Sequence, residues 1–191
     1  MQDVDILCLT DSWDQESLKR ALVQRNSNFF LIPARDPLAT YKVLWYRGAL
    51  NSRIKVDILL PGVMNIPAIS PSLIVRRDGL PVAPLSLVFL LKLQAWSQHG
   101  ASSELRFRLK QPMDRVDIQH LLSILERDRV KPGEDASLPA SFRRAAVVRV
   151  QEYARKHPDS VERWRRLGYK VVSRSIYPPS YSSGSMYDRY D

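Results

Sequence analysis

The chain has 191 residues and a formal net charge of +9, with 45% hydrophobic and 26% charged residues. That is room for one compact domain of ordinary globular composition, and it excludes wholesale disorder and collagen-like or mucin-like chains. A single cysteine, Cys8, excludes an internal disulfide framework and a multi-cysteine zinc site. Apolar runs such as Leu85 to Leu91 fall far short of the ~20 residues of a membrane-spanning helix. The start, Met-Gln-Asp-Val-Asp, has no basic segment of a secretory signal. The expectation is therefore an intracellular protein, cytoplasmic or nuclear, without a membrane partner; oligomeric state stays open.

The opening strand is expected over Val4 to Leu9, closed by Thr10, Asp11 and Ser12. Leu18, Ala21, Leu22 and Arg25 recur at helical spacing, predicting a helix from Asp14 to Arg25. Phe29 to Ile32, Tyr41 to Arg47 and Ile54 to Leu60 read as strands, with Gly48 and Asn51 marking a hairpin or short crossing loop. Prolines 61, 67 and 71 mark an irregular stretch, in which Ser72 to Val75 suggests one more short strand. Asp78-Gly79 signals a turn. Leu85 to Ser97 is apolar almost all round, as in a buried helix. Val116, Leu121, Leu122 and Leu125 mark a second helix of this half, Ala140 to Lys156 a third and Ser160 to Leu167 a fourth. The fold class is α+β: a mixed sheet in residues 1–76, a helical layer packed on it in 77–172, and a Ser-, Tyr- and Pro-rich tail, 173–191, expected to be disordered.

The charge is uneven. Residues 1–100 hold 11 basic and 8 acidic residues, whereas 142–174 hold 10 and 3. The late segment reads either as a solvated helix surface or as an attraction for phosphate-rich partners such as RNA. The four tryptophans do not line up as a base-stacking platform, and no glycine-rich dinucleotide or P-loop motif is present. His99, His120 and His157 lie far apart, without ligand spacing.

The chemistry-bearing pattern is acidic. Asp3 and Asp5, two apart on a strand, point to one face. Adjacent carboxylates repel unless a cation is shared, and Mg2+ is held by one or two carboxylates together with substrate phosphates. In Lys55-Val-Asp57-Ile-Leu-Leu a lone aspartate again precedes a run of aliphatics. Either Asp57 faces Asp3 and Asp5, completing a three-carboxylate cluster, or it pairs with Lys55 or Arg53 at a strand end. Lys92 lies within the most apolar helix, so it needs a partner or snorkels to the surface. Asp114 and Asp117 share a helix face; Asp114 suits an N-cap, and Asp117 a brace for Lys92 or Lys110.

Asp-Val-Asp-Ile on one strand and Val-Asp-Ile-Leu-Leu on a later one resemble the DNA polymerase beta-like nucleotidyltransferase superfamily. Leu90-Leu-Lys92-Leu-Gln-Ala-Trp, followed by Asp114-Arg-Val-Asp117-Ile-Gln-His-Leu-Leu, resembles the later part of its abortive-infection-type members. The resemblance spans about residues 3 to 125. It implies catalytic, Mg2+-holding carboxylates at Asp3, Asp5 and Asp57, and Lys92 near a bound nucleoside triphosphate. It implies transfer of a nucleoside monophosphate to an acceptor hydroxyl on RNA or protein. The family's lysine before the first aspartate of the helical signature is Met113 here, with Lys110 the nearest substitute. The family's phosphate-binding glycine turn precedes its paired aspartates, whereas only Met1 and Gln2 precede Asp3. Weak nucleotide binding, slow or absent transfer and an open edge at Val4 to Leu9 are the expectation, with a non-catalytic nucleotide-, RNA- or protein-binding relative as the alternative.

Overall fold

The computed structural model describes residues 3–172; the tail expected to be disordered lies outside them. The fold is α+β. A four-stranded sheet is built from β1 (Asp3–Leu7), β2 (Phe29–Pro33), β3 (Lys42–Arg47) and β4 (Arg53–Leu59), in the order β1-β4-β3-β2. β2, β3 and β4 run as an antiparallel meander, and β1 adds parallel to β4 at the edge. A parallel pair needs a crossover rather than a tight turn. Here α1 (Gln15–Arg25) and the β2–β3 hairpin supply it. Among the described residues no helix is long and apolar enough to cross a membrane.

Helix α1 begins where Asp14 accepts the backbone N–H of Ser17 at 2.9 Å and its hydroxyl at 2.7 Å. Its sequence is mostly polar, and it is held by a narrow stripe: Leu18, Leu22 and Val23 pack on Leu44, Val56 and Ile58. Gln15 Nε2 also donates to the Ile58 carbonyl at 2.7 Å. Alternation along the strands fixes the faces. Ile6, Val56, Ile58, Leu44, Phe29 and Leu31 look toward α1. The intervening residues, Asp3, Asp5, Lys55, Asp57, Trp45 and Phe30, therefore share the opposite face.

The connection to the helices differs from expectation. Pro71–Leu73 forms a 3-10 turn, and the strand starts later, β5 (Val75–Arg77) pairing with β6 (Leu80–Val82). The boundary expected after residue 76 therefore falls inside β5. Asp78 and Gly79 both have positive φ, 49° and 78°, in the connecting turn, as a two-residue hairpin of this kind requires.

The helical layer comprises α2 (Leu85–Ala101), a short α3 (Leu105–Arg108), α4 (Gln111–Arg127), α5 (Ala140–Lys156) and α6 (Val161–Arg166). Leu87, Phe89, Leu90 and Leu93 of α2 are fully buried, which explains the apolar sequence all round that helix. Each such side chain stabilises the fold by ~1.5–3 kcal/mol. Trp96 lies 4.7 Å from Tyr153 and Phe89 5.5 Å from Trp164, centroid to centroid, so aromatic rings lock α2 to α5 and α6. Helix α4 starts at Gln111, with Pro112 in its first turn. Asp114 is thus inside that turn and not the N-cap, a position Lys110 takes. Glu126 of α4 receives Arg163 Nη2 at 2.8 Å and Arg166 Nη2 at 3.1 Å. Gly168, φ 87°, turns the chain sharply after α6.

Candidate functional site

The parallel register of β1 and β4 sets Asp5 directly opposite Asp57 and Asp3 opposite Lys55. Three carboxylates and one lysine thus occupy adjoining positions on one face at the sheet edge. Asp57 combines a feature of each alternative. It shares the face of Asp3 and Asp5, and its Oδ2 accepts a bond from Lys55 Nζ at 2.5 Å. The Asp5 carboxyl is pushed above its ordinary range, first by desolvation and then by the neighbouring charge of Asp57, while Lys55 and Lys92 pull the other way. Like charges are thus held together by the backbone and only partly compensated.

On the same face Leu7 packs against the helical core, so the carboxylates stand where the sheet emerges from beneath the helices. Lys92 projects from α2 into that junction. Its Nζ lies 3.0 Å from Asp117 Oδ2 and 3.5 Å from Asp114 Oδ1, both on α4. Burial lowers the affinity of Lys92 for its proton, but bonds to Asp117 and the charges of Asp117 and Asp114 outweigh it, so the net direction is upward. Lys92 is a fixed cation, paired rather than projecting freely into solvent.

Asp114 is 5% exposed, and its other oxygen meets His99 Nδ1 at 2.5 Å. The His99 ring stacks on Phe107 at 5.7 Å. His99–Asp114–Lys92 thus form a chain of polar contacts that ends on the lysine's ammonium group. The sequence offered no signal for His99, because fifteen positions separate it from Asp114 and only α2–α4 packing joins them. Lys110, the substitute for the lysine missing at Met113, lies 5.6 Å from the Phe107 ring centroid.

The basic segment is partly neutralised: Lys156 pairs with Glu152, Arg163 and Arg166 with Glu126, and Arg165 with Glu162. Two surface depressions, of about 290 and 280 Å3, lie on the helical side around Arg143 and Arg166. Neither is lined by Asp3, Asp5 or Asp57.

The donor set is hard oxygen, suited to Mg2+ rather than to soft metals. Among the described residues no three His, Cys, Asp or Glu side chains close into a group arranged to hold a metal ion. Lys55 is bonded to Oδ2 of Asp57, which leaves Oδ1 of that carboxylate for a ligand. The Asp5–Asp57 repulsion is an unfavourable interaction of the kind that a shared cation relieves. Comparison of the chain with protein-family models, curated proteins and solved structures returns no match.

Proposed function

We propose that this is a nucleotidyltransferase-fold protein that binds an Mg2+–nucleoside triphosphate at the sheet edge and transfers the nucleoside monophosphate to an acceptor hydroxyl. The observation that carries the reading is the register placing Asp5 opposite Asp57 and beside Asp3, with α2 directing Lys92 to the same junction. Asp3, Asp5 and Asp57 are the carboxylates that would hold the ion. When bound, the ion supplies positive charge against the phosphate oxygens and the leaving group.

The chain's own residues have distinct roles. Lys92, kept charged by Asp117 and Asp114, attracts the triphosphate. The acceptor oxygen bonds to the α-phosphorus as the α–β bridging bond breaks and pyrophosphate leaves. The acceptor's proton passes to a carboxylate; on Asp57 it would go to Oδ1, since Oδ2 accepts from Lys55. Positioning provides much of the rate in phosphoryl transfer, and the lysine-bound state of Asp57 implies slow turnover. An intracellular location, cytoplasmic or nuclear, supplies the triphosphate.

The Lys55–Asp57 bond also favours a second reading, a non-catalytic relative that binds a nucleotide, RNA or protein without transfer. The test is incubation of the chain with α-labelled nucleoside triphosphates, Mg2+, and RNA or protein acceptors, beside an Asp3→Ala/Asp5→Ala control. Label transfer abolished in the control supports the enzyme. Nucleotide binding without transfer supports the second reading, and the absence of both overturns the nucleotide site.

A further inference from the structure

The carboxylate face of the sheet continues across all four strands. Phe30 pairs with Trp45, Trp45 with Lys55 and Lys55 with Asp3, so these four form one rank on one face. Adjacent strands lie ~4.8 Å apart, which puts Trp45 about 10 Å from Asp3 across the sheet. Tryptophans 96 and 164 are buried in the helical core, so the expectation that the four tryptophans form no platform holds for them as a set. Trp45, half-buried, stands opposite the half-buried Phe30 of the neighbouring strand.

The next positions along β3 and β4 are Arg47 and Arg53, directly opposite one another. Like charges at facing positions are destabilising. Neither arginine forms an ion pair with a described residue; both guanidinium groups lie over the Phe30 ring, at 5.2 and 5.8 Å from its centroid. Both residues are exposed. The helix packed on this part of the sheet, α1, covers the other face.

We propose that this face binds single-stranded RNA, with a phosphate between Arg47 and Arg53 and bases stacked on Trp45 and on the arginine-capped Phe30. A phosphate relieves the arginine repulsion, and aromatic and guanidinium planes accept any base. The rank then runs toward Lys55 and the carboxylates. Those acids repel a phosphate but accept hydrogen bonds from the 2′-hydroxyl, which RNA has and DNA lacks. The binding surface stands on the strand register alone; its use as the acceptor track rests on the transferase reading.

The test is fluorescence anisotropy of a labelled 12-nucleotide single-stranded RNA with the full chain, in EDTA and without nucleotide, so that failure of catalysis leaves it unaffected. Arg47→Gln/Arg53→Gln weakens binding at least ~10-fold and flattens the salt dependence by about 0.7, the share of one phosphate contact on a single strand. Arg144→Gln/Arg155→Gln, two exposed arginines of α5, changes affinity less than twofold. Photocrosslinking of a 4-thiouridine-bearing RNA to the unmodified chain labels the peptide containing Trp45, a readout that needs no variant. Equal weakening by both arginine pairs, or crosslinks confined to residues 142–172, overturns the proposal. Equal affinity for a DNA strand of the same sequence overturns the choice of RNA.

Discussion

Asp5 faces another aspartate on a neighbouring strand, and lysines are the cations that offset the pair. Its carboxyl is pushed up by desolvation and by Asp57, so its protonated form is the one the fold prefers. The contribution of Asp5 to stability is fully present below its unfolded value of about 3.9 and is lost as pH rises through the raised value. Charged Asp5 therefore opposes folding at neutral pH. Asp5→Asn is expected to raise the melting temperature by roughly 1–2 °C at pH 7 in EDTA, a figure discounted for solvent screening, and to give no gain at pH 3. Scanning calorimetry at both pH values checks the sign; a lower melting temperature at pH 7 would show that Lys55 and Lys92 already overcompensate the pair. Asp3 and Asp5 were legible as a pair at the start of an apolar strand, and Asp57 as a single acid just before a run of aliphatics. His99 was not legible, since an isolated histidine carries no local mark of a partner on another helix.

At the scale of elements, α2 is the centre of the helical half, packed against α4 and α5. Its apolar surface fills the helical core, while Lys92 and His99, seven residues apart, both reach Asp114 on α4. Asp114 is buried and bonded on both oxygens, whereas the Asp117 side chain is 46% exposed and holds Lys92 alone. Asp114→Ala is expected to cost about 2 kcal/mol, because His99 and Lys92 both lose a partner in a partly dry site. Asp117→Ala is expected to cost under ~1 kcal/mol. Urea denaturation compares them, and equal costs would remove Asp114 from its place as the brace of Lys92. The long elements matched the sequence closely, α5 at both ends, because amphipathic or apolar periodicity over four turns is a strong signal. The short β5, β6 and α3 were missed or displaced: three or four residues are too few to show a period. Helix α4 begins before its apolar stripe, in Gln-Pro-Met-Asp, where proline suits a first turn but leaves no hydrophobic mark.

For the whole molecule, alternation along a strand reveals which residues share a face but not which strands are neighbours. The α+β class and the order of sheet and helices were readable from composition along the chain. The parallel pairing of β1 with β4, which brings Asp3 and Asp5 beside Asp57 across fifty residues, was not. It depends on a crossover through α1 and a hairpin, and on Leu18 and Leu22 docking on the opposite face. The same pairing leaves β1 at the sheet edge with Val4 exposed. The transferase reading depends on Asp3, Asp5 and Asp57 acting as one divalent-cation site. The most direct measurement is titration of the chain with Mn2+, standing in for Mg2+, with free ion counted by electron paramagnetic resonance. The expected result is one bound ion per chain, competed by Mg2+, tightened when a nucleoside triphosphate is added and lost in Asp5→Asn/Asp57→Asn. No bound ion, or binding unchanged in that double variant, would contradict it.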